Sequence, residues 1–325
     1  MLLRSLRLRR LHAGVRYPLV PYVADAAALR LSPSTSVALF GVNLDANSSF
    51  LRGAADAPDA IRHAFVSDSG NGSSERGVDV GQLQASALLD LGNVAPAFDV
   101  ISAVAAAATR ANHRLLVLGG AATRANHRLL VLGGDHSITF PVIRGLRAAL
   151  LEAGERRLNI LHLDAHSDMY ADDVLGGGNA HSHASPFARI LEGGLCTRLV
   201  QTAHLRDQAA KYGVEVHEMQ GIAKRGLPAL AFDGPLYISV DLDVLDPAFA
   251  PGVSHYEPGG LSTREVLSLL QDVKATTIVG ADIVELNVAR DTGAGHASVT
   301  GQTSPGMTAM VAAKLMKELL ARLWA

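Results

Sequence analysis

The chain has 325 residues, 48% of them hydrophobic, and its 29 basic and 31 acidic side chains leave a formal net charge of −2. That is enough apolar material to bury a large core, and the balance of charge excludes the basic footprint that nucleic acid or acidic membrane requires, so the expected partner is a small molecule. A single cysteine, Cys196, excludes an internal disulfide framework and fits a reducing compartment, and no run of about 18 apolar residues exists to span a bilayer.

Residues 1–24 carry Arg4, Arg7, Arg9, Arg10 and Arg16 among leucines, with no acidic residue before Asp25. This is the composition of a mitochondrial or plastid presequence; the alternative is a disordered basic tail on a cytoplasmic protein. The arginines interrupt any apolar core of a secretory signal. Residues 25–325 read as one domain. Short apolar, β-branched runs recur, with helical stretches in several of the gaps, which predicts an α/β fold with a mostly parallel sheet. Eight strands are expected, at 36–42, 87–91, 129–134, 158–163, 199–202, 214–217, 236–240 and 277–284. Helices are expected at 98–112, 138–153, 263–273 and 307–323.

One segment is abnormal. Residues 107–120 and 121–134 both read AATRANHRLLVLGG, in immediate tandem. Two copies do not make a solenoid, which needs several stacking units. Only the second copy runs into Asp135 and His136, so its LLVLGG is expected to be the sheet strand and the first copy a helix extension or an extruded loop. Because the duplication ends at Gly134, any strain it causes would fall just ahead of His136.

Four of the predicted strands finish in polar residues, and the carboxyl ends of strands in an open parallel sheet are where ligands bind. The strand at 129–134 ends in Asp135-His136-Ser137, with two glycines to allow a tight turn. The strand at 158–163 ends in Asp164-Ala165-His166-Ser167-Asp168, the one at 236–240 in Asp241-Leu242-Asp243, and the last in Glu285. Residues two apart in an extended segment face the same way, so Asp164, His166 and Asp168, like Asp241 and Asp243, are expected to converge. Crowded carboxylates repel unless cations lie among them. Two imidazoles with four carboxylates make an oxygen-rich set that favours manganese over thiolate-bound zinc and suffices to bridge two ions, and two ions sharing a water lower its pKa towards neutrality.

The segments GGDHS, LDAHSD, SVDLDVLDPAFAPG and GADIVELN, in this order, resemble the signatures of the ureohydrolase family, whose members include arginases and agmatinases. NSSF, the P-x-x-I-R of 58–62, DPAFAPGVSHYEPGGLS and GMTAMVAAKL resemble its plant-type arginase branch, and the likeness runs from about Ser36 to the C-terminus. It implies a three-layer α/β/α fold around an eight-stranded sheet and two Mn2+ per subunit. One ion would be held by His136, Asp164, Asp168 and Asp241, the other by Asp164, His166, Asp241 and Asp243. It further implies that Asp168 orients the attacking oxygen, that Glu285 anchors the substrate guanidinium, and that His183 in SHASPFARI shuttles the proton. Asn179, Ser254 and Asn71 would contact the amino-acid end of the substrate. A carboxylate at Glu285 suits a planar cation, and a histidine suits proton exchange near neutral pH; the alternative for His183 is a surface-loop histidine beside His181.

The implied reaction is hydrolysis of L-arginine to L-ornithine and urea, in a homotrimer or homohexamer. Agmatine hydrolysis to putrescine and urea shares every metal ligand, and a non-catalytic subunit is a further reading, although no ligand is missing. A nucleotide-binding α/β protein is disfavoured, because Gly176-Gly177-Gly178 does not supply a G-x-G-x-x-G turn between strand and helix. Two further departures from the family pattern are QTAHLRDQAAKYGV after Val200, which is short, and a Gly, Ser and Thr-rich insertion at 292–305, expected as a surface loop.

Overall fold

The computed structural model describes residues 37–79, 88–110, 128–171, 178–202, 206–295 and 303–324, with the backbone of three short strands before them. Those three are β1 (Leu8–Arg10), β2 (Arg16–Pro18), antiparallel to each other, and β3 (Tyr22–Val23). The remaining strands are β4 (Val37–Val42), β5 (Leu88–Val94), β6 (Arg128–Leu132), β7 (Asn159–Leu163), β8 (Arg198–Thr202), β9 (Glu215–His217), β10 (Ala231–Asp241) and β11 (Lys274–Val284). These are the eight strands expected from the sequence. With the two-residue β3 at one edge they form a single sheet in the order β3-β5-β4-β6-β11-β10-β7-β8-β9. The expectation of a mostly parallel sheet sharpens to one in which every neighbouring pair is parallel.

Alternation along the strands sends successive side chains to opposite faces, and both faces are apolar. Val37, Leu39, Leu130, Leu132, Ile238 and Val240 enter one core. Helices α1 (Ala57–Phe65), α7 (Thr263–Asp272) and α8 (Met307–Trp324) cover it. Ala38, Phe40, Leu129, Val131, Ile160 and Tyr237 enter the other core, under α2 (Phe98–Arg110), α3 (Thr139–Glu152) and α4 (Pro186–Glu192). The result is the three-layer arrangement, because a sheet apolar on both faces needs cover on both. Short helices α5 (Arg206–Tyr212) and α6 (Met219–Arg225) lie near the β9 edge.

Helices α2, α3, α7 and α8 were legible from periodicity. Helix α1 was not, although its apolar residues share one face: it is only nine residues long, so the period barely repeats, and half of the residues it buries are the small Ala57, Ala60 and Ala64, beside Pro58, Ile61 and Phe65. Its signal was Pro58 in the first turn, where the missing N–H removes no bond.

The second LLVLGG supplies β6, in register with β4 and β11. The first copy's LLVLGG lies outside the described residues, as do most of the arginine-rich start, Gly176 and Gly177, and 296–302. The duplication leaves the strand end regular: Gly133 N donates to Ile283 O at 2.8 Å and Asp135 N to Leu44 O at 2.7 Å. The two glycines serve close approach rather than a turn. A Cβ on Gly134 would run into the Leu44 carbonyl, and one on Gly133 into Val284. The insertion at 292–305 is pinched at its base, where Met307 N donates to Thr292 O and Gly295 N to Ser304 O, and Asp291 accepts the Thr308 and Ala309 amides that open α8. No helix among the described residues is long and apolar enough to cross a membrane.

Candidate metal centre

The four polar-ended strands, β6, β11, β10 and β7, are consecutive neighbours in the middle of the sheet. Their carboxyl ends therefore deliver Asp135–Ser137, Glu285, Asp241–Asp243 and Asp164–Asp168 to one patch, where the chain order of the strands is interrupted.

Convergence does not come from extended alternation, as the sequence suggested. β7 stops at Leu163, and Asp243 lies in a single 3-10 turn, Leu242–Val244. The ends of β6, β7 and β10 instead turn over an aspartate whose Oδ1 accepts the amide two residues on. Asp241 accepts Asp243 N at 2.8 Å, Asp135 accepts Ser137 N at 3.1 Å, and Asp164 accepts His166 N. These are Asx turns, and in Asp164 and Asp241 they leave Oδ2 facing the centre. Asp168 and Glu285 adopt positive φ, 49° and 66°, a backbone state that costs a non-glycine residue about 1 kcal/mol or more. Asp168 O accepts Phe187 N at 3.0 Å and Glu285 N donates to Gly134 O at 2.9 Å, so packing on both sides holds them there.

At the centre, His136 Nδ1 lies 3.2 Å from Asp164 Oδ2, 3.0 Å from Asp168 Oδ2 and 3.0 Å from Asp241 Oδ2. Its other nitrogen fixes its tautomer. Nε2 is 2.9 Å from Ser239 Oγ, whose hydroxyl donates to Asp282 Oδ1 at 2.6 Å. Asp282 Oδ2 accepts Thr139 and Tyr237 hydroxyls at 2.8 and 2.9 Å. Ser239, having given its proton to Asp282, accepts from His136 Nε2–H, so Nδ1 is left bare and buried without a hydrogen-bond partner. A lone pair directed at three carboxylate oxygens is repulsive unless a cation lies between them.

Asp164, His166 and Asp243 form a second group, with His166 Nδ1 3.0 Å from Asp243 Oδ2 and 3.5 Å from Asp164 Oδ1. Asp164 thus faces both groups. His162 also lies beside the first group, but its nitrogens are spoken for. Gln201 Nε2 donates to Ser167 O at 2.9 Å and to His162 Nδ1 at 2.8 Å, so His162 Nε2–H donates to Asp164 Oδ2 at 2.7 Å. His162 orients a ligand rather than acting as one.

The electrostatics reflect crowding. Burial and the neighbouring Asp243 and Asp164 hold the Asp241 carboxyl well above the usual range, and burial with Asp164 pushes Asp243 up to about 7. Burial and Glu285 push Asp135 up to about 7. Burial opposes charge on His136 and His166 too, but the surrounding carboxylates outweigh it and raise both. Protons are here doing what a divalent cation would do better. The carboxylate and imidazole donors fit hard to borderline divalent ions such as manganese.

Beside the cluster, Glu285 Oε1 accepts His136 N at 2.9 Å and lies 3.0 Å from His183 Nδ1. His183 is 8% exposed, so it is not a surface histidine. Burial disfavours its charged form, but the Glu285 hydrogen bond and charge prevail and raise it to about 9. Ser254 is buried, its hydroxyl donating to Leu51 O at 2.7 Å and accepting Asn287 Nδ2 at 2.8 Å. Asn179 Nδ2 donates to Asn47 Oδ1 at 3.1 Å, on the same side as His183. Asn71 is not brought together with them: its carbonyl accepts Lys317 Nζ at 2.7 Å from the later turns of α8, away from the strand ends. Sequence reasoning passed over His162, Gln201, Ser239 and Asp282, although Ser239 and Asp282 stand inside the SVDLD and GADIVELN segments and His162 immediately precedes LDAHSD.

With this geometry in view, the relatives are informative. A model of the arginase family matches residues 35–321.

The chain belongs to the arginase family.

Arginase 1, mitochondrial, of Arabidopsis thaliana is 41% identical to it, over 98% of this chain and 88% of that protein. The solved arginase from Medicago truncatula superposes with a TM-score of 0.69 at 38% identity, covering 89% of this chain and 88% of that one. The agmatine ureohydrolase of Thermoplasma volcanium superposes with a TM-score of 0.66 at 26% identity, over 90% of each chain. Arginase-family members thus share this sheet, and the metal-capable cluster sits on its central strand ends.

Proposed function

We propose that this chain hydrolyses L-arginine to L-ornithine and urea, using two Mn2+. His136, Asp164, Asp168 and Asp241 would hold one ion, and Asp164, His166, Asp241 and Asp243 the other. The observation that carries this is the bare Nδ1 of His136, held by Ser239 and Asp282 so that it faces three carboxylate oxygens. Bound ions would supply Lewis acidity that brings the pKa of water towards neutrality.

The chain's own residues supply binding and proton handling. Glu285 Oε1 already accepts the His136 amide and His183, so Oε2 receives a guanidinium N–H of the substrate. His183, raised to about 9 by its Glu285 contact, carries a proton at neutral pH and donates it to the departing amine. Asp168, beside His136, accepts a hydrogen bond from the attacking oxygen and orients it. Asn179 and Ser254 would serve the substrate's amino-acid end, with Ser254 acting through the loop it braces.

Identity, more than fold, favours arginine over agmatine: 41% to a plant arginase against 26% to an agmatine ureohydrolase, with TM-scores of 0.69 and 0.66 for the two solved structures. Relatives named mitochondrial, one of them also chloroplastic, support a mitochondrial location and a presequence reading of residues 1–24. The resemblance also supports a homotrimer or homohexamer. Urea release from arginine and from agmatine, each with added manganese, tests the reading. Arginine is expected to be the faster substrate; faster release from agmatine would transfer the assignment, and manganese binding without turnover of either would leave a non-catalytic subunit.

A further inference from the structure

His183 is held from a direction that the ligand motifs do not predict. Its Nδ1 meets Glu285, but its backbone N donates to Asn47 O at 3.1 Å and its Nε2 lies 2.9 Å from Ser49 Oγ. Both partners belong to the loop 45–55, which follows β4 and contributes none of the metal-binding residues. The loop is pinned at several points. Asn47 N donates to Asp135 Oδ2 at 3.1 Å and Asn47 Nδ2 to Ser137 Oγ at 3.0 Å. Asp45 Oδ2 accepts Gly53 N at 2.8 Å and Ala55 N at 3.4 Å. Leu51 O accepts Ser254 Oγ and Asn287 Nδ2, at 2.7 and 2.9 Å, while Leu51 itself sits at a φ of 32° and Gly53 at 151°. Two left-handed residues and this many cross-links fix one loop shape, a shape that sets where Ser49 Oγ stands.

Ser49 differs from its neighbour. Ser48 Oγ donates to Phe50 O at 2.7 Å, a bond internal to the loop, whereas Ser49 Oγ reaches across to the imidazole. With Glu285 on Nδ1 and Ser49 on Nε2, both ring nitrogens are bound in the substrate-free protein; Nδ1, on the Glu285 side where the guanidinium is held, is the nitrogen that gives its proton to the departing amine, and Ser49 on Nε2 is then what still fixes the ring plane. A ring held at only one nitrogen swings about that bond, and a misplacement of about 1 Å in a reacting group can slow turnover by up to about a hundredfold.

We propose that Ser49 is a positioning residue for His183, fixing the imidazole in the plane from which it exchanges a proton with the substrate. This rests on the reading of His183 as the proton donor. Ser49 is exposed at the loop surface, so trimming its hydroxyl leaves the core and the metal-binding residues untouched.

The test uses the full-length, manganese-loaded enzyme and the variants S49A, S49T and H183N, with urea release, manganese content and melting temperature measured for each. H183N is expected to lower kcat by about a hundredfold or more, the range for a lost general acid. S49A is expected to lower kcat by about tenfold, with KM, manganese content and melting temperature unchanged, a partial version of the misplacement effect. S49T keeps the hydroxyl and is expected to restore most of kcat. Unchanged kcat in S49A overturns the proposal, as does a loss that S49T shares in full or that comes with lower manganese content or melting temperature. If H183N keeps full activity, the His183 reading itself falls, a result distinct from failure at Ser49.

Discussion

Two acidic knots in this molecule are built on opposite logic. Between α7, α8 and the segment at 71–79, Glu75 pairs with Arg264 and accepts Gln271 Nε2, while buried Glu318 accepts Lys314 Nζ at 2.6 Å, Glu75 N at 2.7 Å and Gln271 Nε2 at 3.2 Å. The Arg264 and Gln271 hydrogen bonds hold Glu75 down at about 2. Every carboxylate there meets a cation or an N–H, and the knot is complete as the chain makes it. At the ends of β6, β7, β10 and β11, Asp164, Asp168, Asp241 and Asp243 gather around two imidazoles with no lysine or arginine of the described residues paired to them, and the carboxyls of Asp241 and Asp243 rise. The first knot closes the fold. The second gathers like charges that no described residue neutralises, and it is the one suited to a metal ion.

The contrast breaks if the strand-end cluster tolerates losing a ligand. Asp241→Ala is expected to reduce urea release by more than about a hundredfold, beyond what outer partners of a metal site reach, and to deplete bound manganese measured by mass spectrometry. Normal turnover would end the metal reading. Next in size, Ser239→Ala removes the acceptor that keeps His136 Nδ1 bare, and manganese affinity is expected to fall by about 10- to 100-fold, read by competition with a chelator.

The pH dependence of the stripped protein sharpens the same contrast. Asp135 and Asp243 are raised to about 7 from an unfolded value of 3.8, so between those values the folded state binds more protons than the unfolded one. Stability then rises as pH falls from about 7 towards about 4. His183, raised to about 9, adds stability that is present below 6.5 and lost as pH rises through 9, the same direction. The melting temperature of chelator-treated protein is thus expected to climb by several degrees between pH 7.5 and 5. Manganese-loaded protein should do the reverse, because its ligands must be deprotonated. Parallel curves for the two forms would contradict the comparison.

In the other knot, Lys314→Ala leaves Glu318 with two N–H donors, and the melting temperature should drop by no more than about 4 °C with activity intact. Smallest of all, deleting 107–120 removes one copy of the repeat. Identical letters at 121–124 then complete α2, and Ala125, Asn126 and His127 connect it to β6, an ordinary length for a helix-to-strand link. Stability and urea release are expected to match the parent, since neither knot is touched; a collapse on circular dichroism would assign the first copy a structural role.

Much of this was readable beforehand. The runs that became β4 to β11 are short, β-branched and apolar on both faces, a pattern that only a covered parallel sheet satisfies. The metal-capable residues were readable because aspartate and histidine stand out at the ends of such runs. Helix α1 was hidden by its length, nine residues, too short for its apolar period to repeat more than once or twice. Ser239, Asp282 and His162 were hidden because polar residues inside a strand are indistinguishable in sequence from any buried polar group with a local partner. Asn71 was drawn to the substrate end by motif likeness alone, and its place by Lys317 follows from where the 71–79 segment packs.

The sequence by itself determined the sheet, its two cores and the inventory of carboxylates and imidazoles, because those follow from side-chain chemistry and short-range period. Tertiary structure alone decided that β11 and β10 stand between β6 and β7, bringing Glu285 and Asp241 to His136, and that Ser239 and Asp282 choose its tautomer. It alone set the 45–55 loop against His183. Those contacts join residues far apart in the chain, and their geometry depends on strand order and packing, which no local pattern encodes.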